Sequence, residues 1–142
     1  MSSKYKFQDQ EKQYFVSFAV VYWINVFTRN EYKDIFLDCV KYCQYNKGLE
    51  VYGWVIMSNH VHLIIGSTGM KMEDVLRDLK RVSSRRIIKA IGNNPEESRK
   101  QWMLCLMEEA GKKNSNNSKF QFWQQDNHPI ELANIAMMEQ RL

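Results

Sequence analysis

The chain has 142 residues and a formal net charge of +4, with 44% hydrophobic, 25% charged and 13% aromatic residues. This composition describes one globular domain that can bury a core without disulfides or a structural metal, and it excludes a disordered linker. No apolar run approaches the roughly 18–20 residues that span a bilayer, and the opening MSSKYKFQDQEKQ has no apolar signal core, so a cytoplasmic protein without a membrane partner is expected.

The mild basic excess permits an anionic partner without requiring one. Cys39, Cys43 and Cys105 form no Cys-x-x-Cys pair and read as reduced thiols. Cys39 and Cys43 lie one helical turn apart, which fits buried packing better than a metal.

In chain order, YFVSFAVV (residues 14–21) is dense in β-branched and aromatic residues and predicts a strand. Polar Thr28-Arg29-Asn30 then precede a helix in which Ile35, Phe36, Cys39, Val40 and Cys43 recur at helical spacing, with Gly48 as its stop. LEVYGWVIM and HVHLIIG are two strands joined through Ser58 and Asn59. A second helix runs over about residues 72–91, with Met72, Val75, Leu76, Leu79 and Val82 on its buried stripe. A third covers roughly residues 96–109. GKKNSNNSK is a basic, Asn-rich loop, FQFW a short strand, and a last helix begins near Ile130. The pattern predicts an α+β fold: a ferredoxin-like split βαβ with an antiparallel sheet and extra helices, residues 1–142 forming a single domain. That fold hosts many functions and decides none.

The chemistry concentrates in SNHVHLII. His60 and His62 are two apart on a strand, so both leave the same sheet face, while Val61, Leu63 and Ile65 leave the other. Two imidazoles so placed can bind one divalent cation in cis, with an oxygen ligand completing the site. The alternative is a pair of ordinary strand histidines, and the spacing alone leaves both open. Two of the chain's three histidines fall here.

YGWVIMSNHVHLII closely resembles the signature of the HUH single-tyrosine transposases, specifically the REP-associated tyrosine transposase group, in which His, a hydrophobic residue and His correspond to His60-Val61-His62. FQFWQQDNHPIEL resembles the segment preceding the catalytic helix of that group, and Ser58 departs from the Pro that many members carry before Asn-His. The resemblance implies a ferredoxin-like fold with both histidines on the central strand, holding Mg or Mn against the scissile phosphate. It implies a tyrosine on a C-terminal helix that becomes covalently attached to a 5′ DNA end, and a further polar metal ligand one turn later. The substrate would be single-stranded or hairpin DNA, and the active unit a homodimer or a monomer. Asn59 and His128 are candidates for supporting the site.

The decisive departure is the nucleophile. Tyr5, Tyr14, Tyr22, Tyr32, Tyr42, Tyr45 and Tyr52 all precede His60. The C-terminal helix is therefore expected to be incomplete, with the tyrosine beyond Leu142, and the chain as it stands to be inactive as a metal-dependent DNA strand transferase.

Arg77, Arg81 and Arg85 recur every four residues and, joined by Lys80, Arg86 and Lys89, predict an exposed cationic stripe on the second helix. For an arbitrary helix this is a solvated face; beside a DNA-processing resemblance it becomes a phosphate-tracking surface. Lys112, Lys113, Asn114 and Asn116 are weaker candidates for the same role. Two other readings remain: a non-catalytic nucleic-acid binding module, with Val51-Tyr52-Gly53-Trp54-Val55 as an aromatic strand, and a small metal-dependent hydrolase, which lacks an obvious general base.

Overall fold

A computed structural model describes Phe7 and residues 9–114 and 119–132. The elements in chain order are β1 (Gln13–Ala19), α1 (Asn30–Asn46), β2 (Leu49–Ile56), β3 (His60–Ser67), α2 (Met72–Asn93), α3 (Lys100–Lys113) and β4 (Ile130–Leu132). The sheet order is β2-β3-β1-β4, with every neighbouring pair antiparallel. The two histidines thus sit on an inner strand of the sheet predicted from sequence.

Strand alternation sorts the side chains. Val61, Leu63 and Ile65 of β3 join Tyr14, Val16 and Phe18 of β1 in the core, against Phe36, Cys39 and Cys43 of α1 and Val75, Leu76 and Leu79 of α2. Each such side chain contributes about 1.5–3 kcal/mol when fully buried. Cys39 and Cys43 are core thiols, as their spacing suggested. Gly48 follows α1 with φ 74°, the left-handed step that lets the chain turn into β2.

The end of the chain differs from expectation. FQFW is not a strand: its one ladder contact is the bridge between Trp123 and Val20. Phe122 and Trp123 instead plug the core. Trp123 stacks on Phe27 at 5.9 Å and donates its Nε1–H to Ser83 Oγ at 3.0 Å. The fourth strand is Ile130–Leu132, where a helix was expected to begin, because the open edge of β1 offers it ladder partners at Gln13, Tyr14 and Phe15. The remainder of that expected helix, residues 133–142, lies outside the described residues.

A buried ionic cluster ties α1 to the start of α3. The Glu97 side chain is 0% exposed; its carboxylate accepts from Arg99 Nε at 2.9 Å and Arg29 Nε at 3.1 Å. Tyr32 donates its hydroxyl to Glu97 Oε1 at 3.1 Å. The Arg99 hydrogen bonds hold the Glu97 carboxyl down at about 2 against the opposing effect of burial. Among the described residues, no helix is long and apolar enough to cross a membrane.

Candidate functional site

His60 and His62 are half-buried on the sheet face opposite α1 and α2. Their Nε2 atoms lie 3.1 Å apart and their rings are nearly perpendicular at 82°. Asn59 orients the first ring. Its Nδ2 reaches the Trp23 carbonyl at 3.5 Å, so its Oδ1 is the atom facing His60 Nδ1 at 2.7 Å. An amide oxygen only accepts, so His60 Nδ1 carries the proton and Nε2 presents its lone pair. Asn59 is a candidate from sequence for supporting the site, and this is the contact it makes there.

The second ring is held by packing. Phe15 stacks on His62 at 5.3 Å with a 22° tilt, and Ser17 lies opposite it in the β1–β3 register. Burial, with a smaller contribution from His60, lowers the His62 pKa and favours neutral imidazole, the form that binds metals. His62 Nδ1 is buried without a hydrogen-bond partner among the described residues. Two donors bound cis to one six-coordinate cation at about 2.1–2.2 Å lie about 3.0–3.1 Å apart, so the Nε2 pair fits a single cation. No group of three or more His, Cys, Asp or Glu gathers among the described residues, so further ligands would be water or substrate oxygen.

The hairpin tip carrying this pair is clamped from outside β2 and β3. Val20 N–H donates to the Asn59 carbonyl and Phe27 N–H to the Ser58 carbonyl, both at 2.9 Å. Between these anchors the chain makes a tight excursion. Tyr22 and Trp23 have φ of 54° and 55°, left-handed values that β-carbons disfavour. Trp23 meets His60 edge to face at 6.4 Å. Neither Trp23 nor Phe15 was singled out from sequence; an isolated aromatic in an apolar stretch reads as core.

The cationic stripe is not brought to the histidines. α2 packs on the other face of the sheet, with Arg77, Arg81, Arg85, Arg86 and Lys89 exposed. Asp78 draws in Arg77 and Arg81 at 3.6 and 3.4 Å, and Arg86 approaches Asp38 at 3.9 Å. Lys80 departs from the stripe altogether. Its Nζ turns inward to the Gln124 carbonyl at 2.7 Å, the Gln125 carbonyl at 3.3 Å and Asn127 Oδ1 at 2.9 Å. Burial pushes its pKa down to about 8, opposed by the charge of Asp126. It is an anchor for residues 124–127, not an exposed cation.

That anchored segment continues to the histidine strand's neighbour. Ser17 N–H donates to the Asn127 carbonyl at 2.8 Å, and His128 follows with φ 46° and an exposed ring. Asn116, in the basic loop, lies outside the described residues.

Among the described residues, no tyrosine presents its hydroxyl as a free nucleophile at the pair. Tyr14 and Tyr32 are core residues. Tyr42 and Tyr45 are on α1, across the sheet. Tyr22 receives Lys113 Nζ at 3.2 Å, and Tyr52 lies over Gly66 at the far end of β3. Tyr5 lies outside the described residues.

Comparison with known proteins agrees with the fold. The family described as "Transposase IS200 like" matches residues 10–104. A solved REP-associated tyrosine transposase bound to a REP hairpin superposes with a TM-score of 0.64 at 12% identity, over 99% of this chain and 67% of that one. A second structure, from Deinococcus radiodurans R1 and provisionally assigned as a transposase, gives a TM-score of 0.48 at 25% identity, over 72% of this chain and 93% of that one. No protein of curated function matches the sequence. With two thirds of its length, including both histidines, inside that match, the chain belongs to the IS200-like transposase family.

Proposed function

We propose that the chain is the metal-binding part of an enzyme that nicks and rejoins single-stranded or hairpin DNA. The observation that carries this reading is the convergence of His60 and His62 Nε2 at 3.1 Å, with Asn59 fixing the proton of His60 on the remote nitrogen. A Mg or Mn ion bound there would polarise the scissile phosphate and stabilise the charge that develops on it. His60 and His62 would hold the ion, Asn59 would keep His60 in its ligating tautomer, and Phe15 would hold the His62 plane. Such supporting contacts commonly matter tenfold to a hundredfold in metal affinity.

The nucleophile is a tyrosine expected outside residues 1–142, since the described tyrosines are engaged elsewhere or distant. The exposed Arg77, Arg81, Arg85 and Arg86 would contact DNA phosphates away from the reacting group. The hairpin-bound relative supports DNA as partner. A non-catalytic binding module is the competing reading, favoured by the missing tyrosine.

Calorimetry with Mn should show a heat that disappears in His60→Ala and in His62→Ala. If the doubly substituted chain binds Mn as well as the parent, the metal reading is wrong. On a denaturing gel with labelled hairpin DNA and Mn, the 142-residue chain should form no covalent adduct, whereas a form extended by its natural downstream residues should.

A further inference from the structure

Tyr22 and Trp23 hold a costly backbone conformation while staying largely at the surface. Consecutive left-handed residues with bulky side chains persist only where the surroundings impose them. Here the conformation leaves Tyr22 44% and Trp23 58% exposed, so the strain gains little burial. Its result is a ridge with two aromatic rings set differently. Trp23 leans on His60, while the Tyr22 hydroxyl meets Lys113 Nζ at 3.2 Å, with that ammonium 5.7 Å from the ring centre.

Behind Tyr22 opens a cleft of about 670 Å³, lined by Tyr22, Lys113, Gln121, Gln124, Gln125 and Asp126. Side-chain amides and a carboxylate are the groups that pair with base edges. Asp126 makes the cleft unsuited to a phosphate, whereas Lys113 at its rim suits one. Trp23, which meets His60, is the chain neighbour of Tyr22, which lines the cleft, so the cleft and the histidine pair are linked through two consecutive residues.

We propose that Trp23 and Tyr22 form a stacking ridge for unpaired nucleobases, one base lying against Trp23 beside the histidines and the next entering the cleft behind Tyr22. The proposal rests on the reading of the chain as a single-strand DNA enzyme and names the residues that would hold the strand flanking the reacting phosphate. Aromatic stacking suits unpaired bases because each exposes a π face that a duplex hides. Asp126 would accept from an exocyclic amine, which cytosine has and thymine lacks.

The test uses the 142-residue chain without metal and fluorescein-labelled dC12, dT12 and a blunt 12-base-pair duplex, read by anisotropy. Asn tolerates left-handed backbone, so Tyr22→Asn with Trp23→Asn should melt no lower than the parent yet bind dC12 more weakly, by about five- to hundredfold per stacked base. Trp23→Leu, which keeps apolar bulk, should lose affinity as well. Asp126→Ala should narrow the preference for dC12 over dT12. Tyr45→Ala, at an exposed ring on α1 across the sheet, should leave binding near the parent value. Parent-like affinity for dC12 in the double Asn variant and in Trp23→Leu would overturn the ridge alone, as would equal binding of the duplex. Absence of binding by the parent to either single strand would overturn the DNA reading and the ridge with it.

Discussion

Glu97 and His62 both hold polar side-chain atoms away from water, yet their surroundings treat them in opposite ways. Glu97 is fully enclosed, and Arg29, Arg99 and Tyr32 all reach its carboxylate within 3.1 Å. His62 has a buried Nδ1 without a partner among the described residues, and its other nitrogen faces a second imidazole. Buried polar groups in folded proteins are ordinarily satisfied, and each exception calls for an explanation. The first cluster is complete without any ligand, and the second leaves bonding capacity unused. On the function proposed above, the difference separates a group held for the fold from one held for chemistry.

The largest test of that contrast is Glu97→Ala. Removing one member of a buried ionic cluster leaves uncompensated charge, and about 3–5 kcal/mol of stability should be lost in urea denaturation. A loss below 1 kcal/mol would erase the contrast. Acid should produce a related, smaller effect. The folded pKa of Glu97 lies below the ordinary 4.5, at about 2, so its contribution is complete above 4.5 and fades as pH falls toward 2. Stability measured across that window should fall by about 2–3 kcal/mol through this group, and Glu97→Gln should flatten the fall.

The histidine side should behave in reverse. Asn59→Ala should weaken Mn binding about tenfold to a hundredfold while changing the melting midpoint little, since it frees the His60 tautomer. The smallest effect on stability is expected for His62→Phe. A second phenyl ring can keep the stack on Phe15 and removes the unpaired nitrogen, so stability should hold within about 1 kcal/mol while Mn binding disappears. A collapse of the fold in His62→Phe would show the pair to be structural.

What the sequence revealed follows from the range of the interactions involved. β1, α1, β2, β3 and α2 each declare themselves through local periodicity, and the same period-two rule placed His60 and His62 on one face. Lys80 shows where that logic fails. Helical spacing sets it beside Arg77 and Arg81, but its oxygen partners lie 44–47 residues later in the chain. FQFW has the apolar density of a strand, and only the assembled core shows Trp123 finding Ser83 and Phe27 instead. Ile130 begins a strand because of the open edge of β1, more than 110 residues earlier. The left-handed Tyr22 and Trp23 carry no glycine or asparagine signal at all.

The pairing of β4 with β1 bears on synthesis at the ribosome. β1, β2 and β3 can assemble once Ser67 has emerged, but the outer rim of β1 acquires its strand partner only about 65 residues later, with Ile130–Leu132. At ordinary elongation rates that interval lasts roughly 3–13 s. During it, β1 offers unpaired backbone groups next to apolar Phe15, a template on which a neighbouring nascent chain could dock. Polysomes crowded with this message should therefore be a point of vulnerability to co-aggregation, and a chain stalled before Ile130 should be more prone to it than the finished protein.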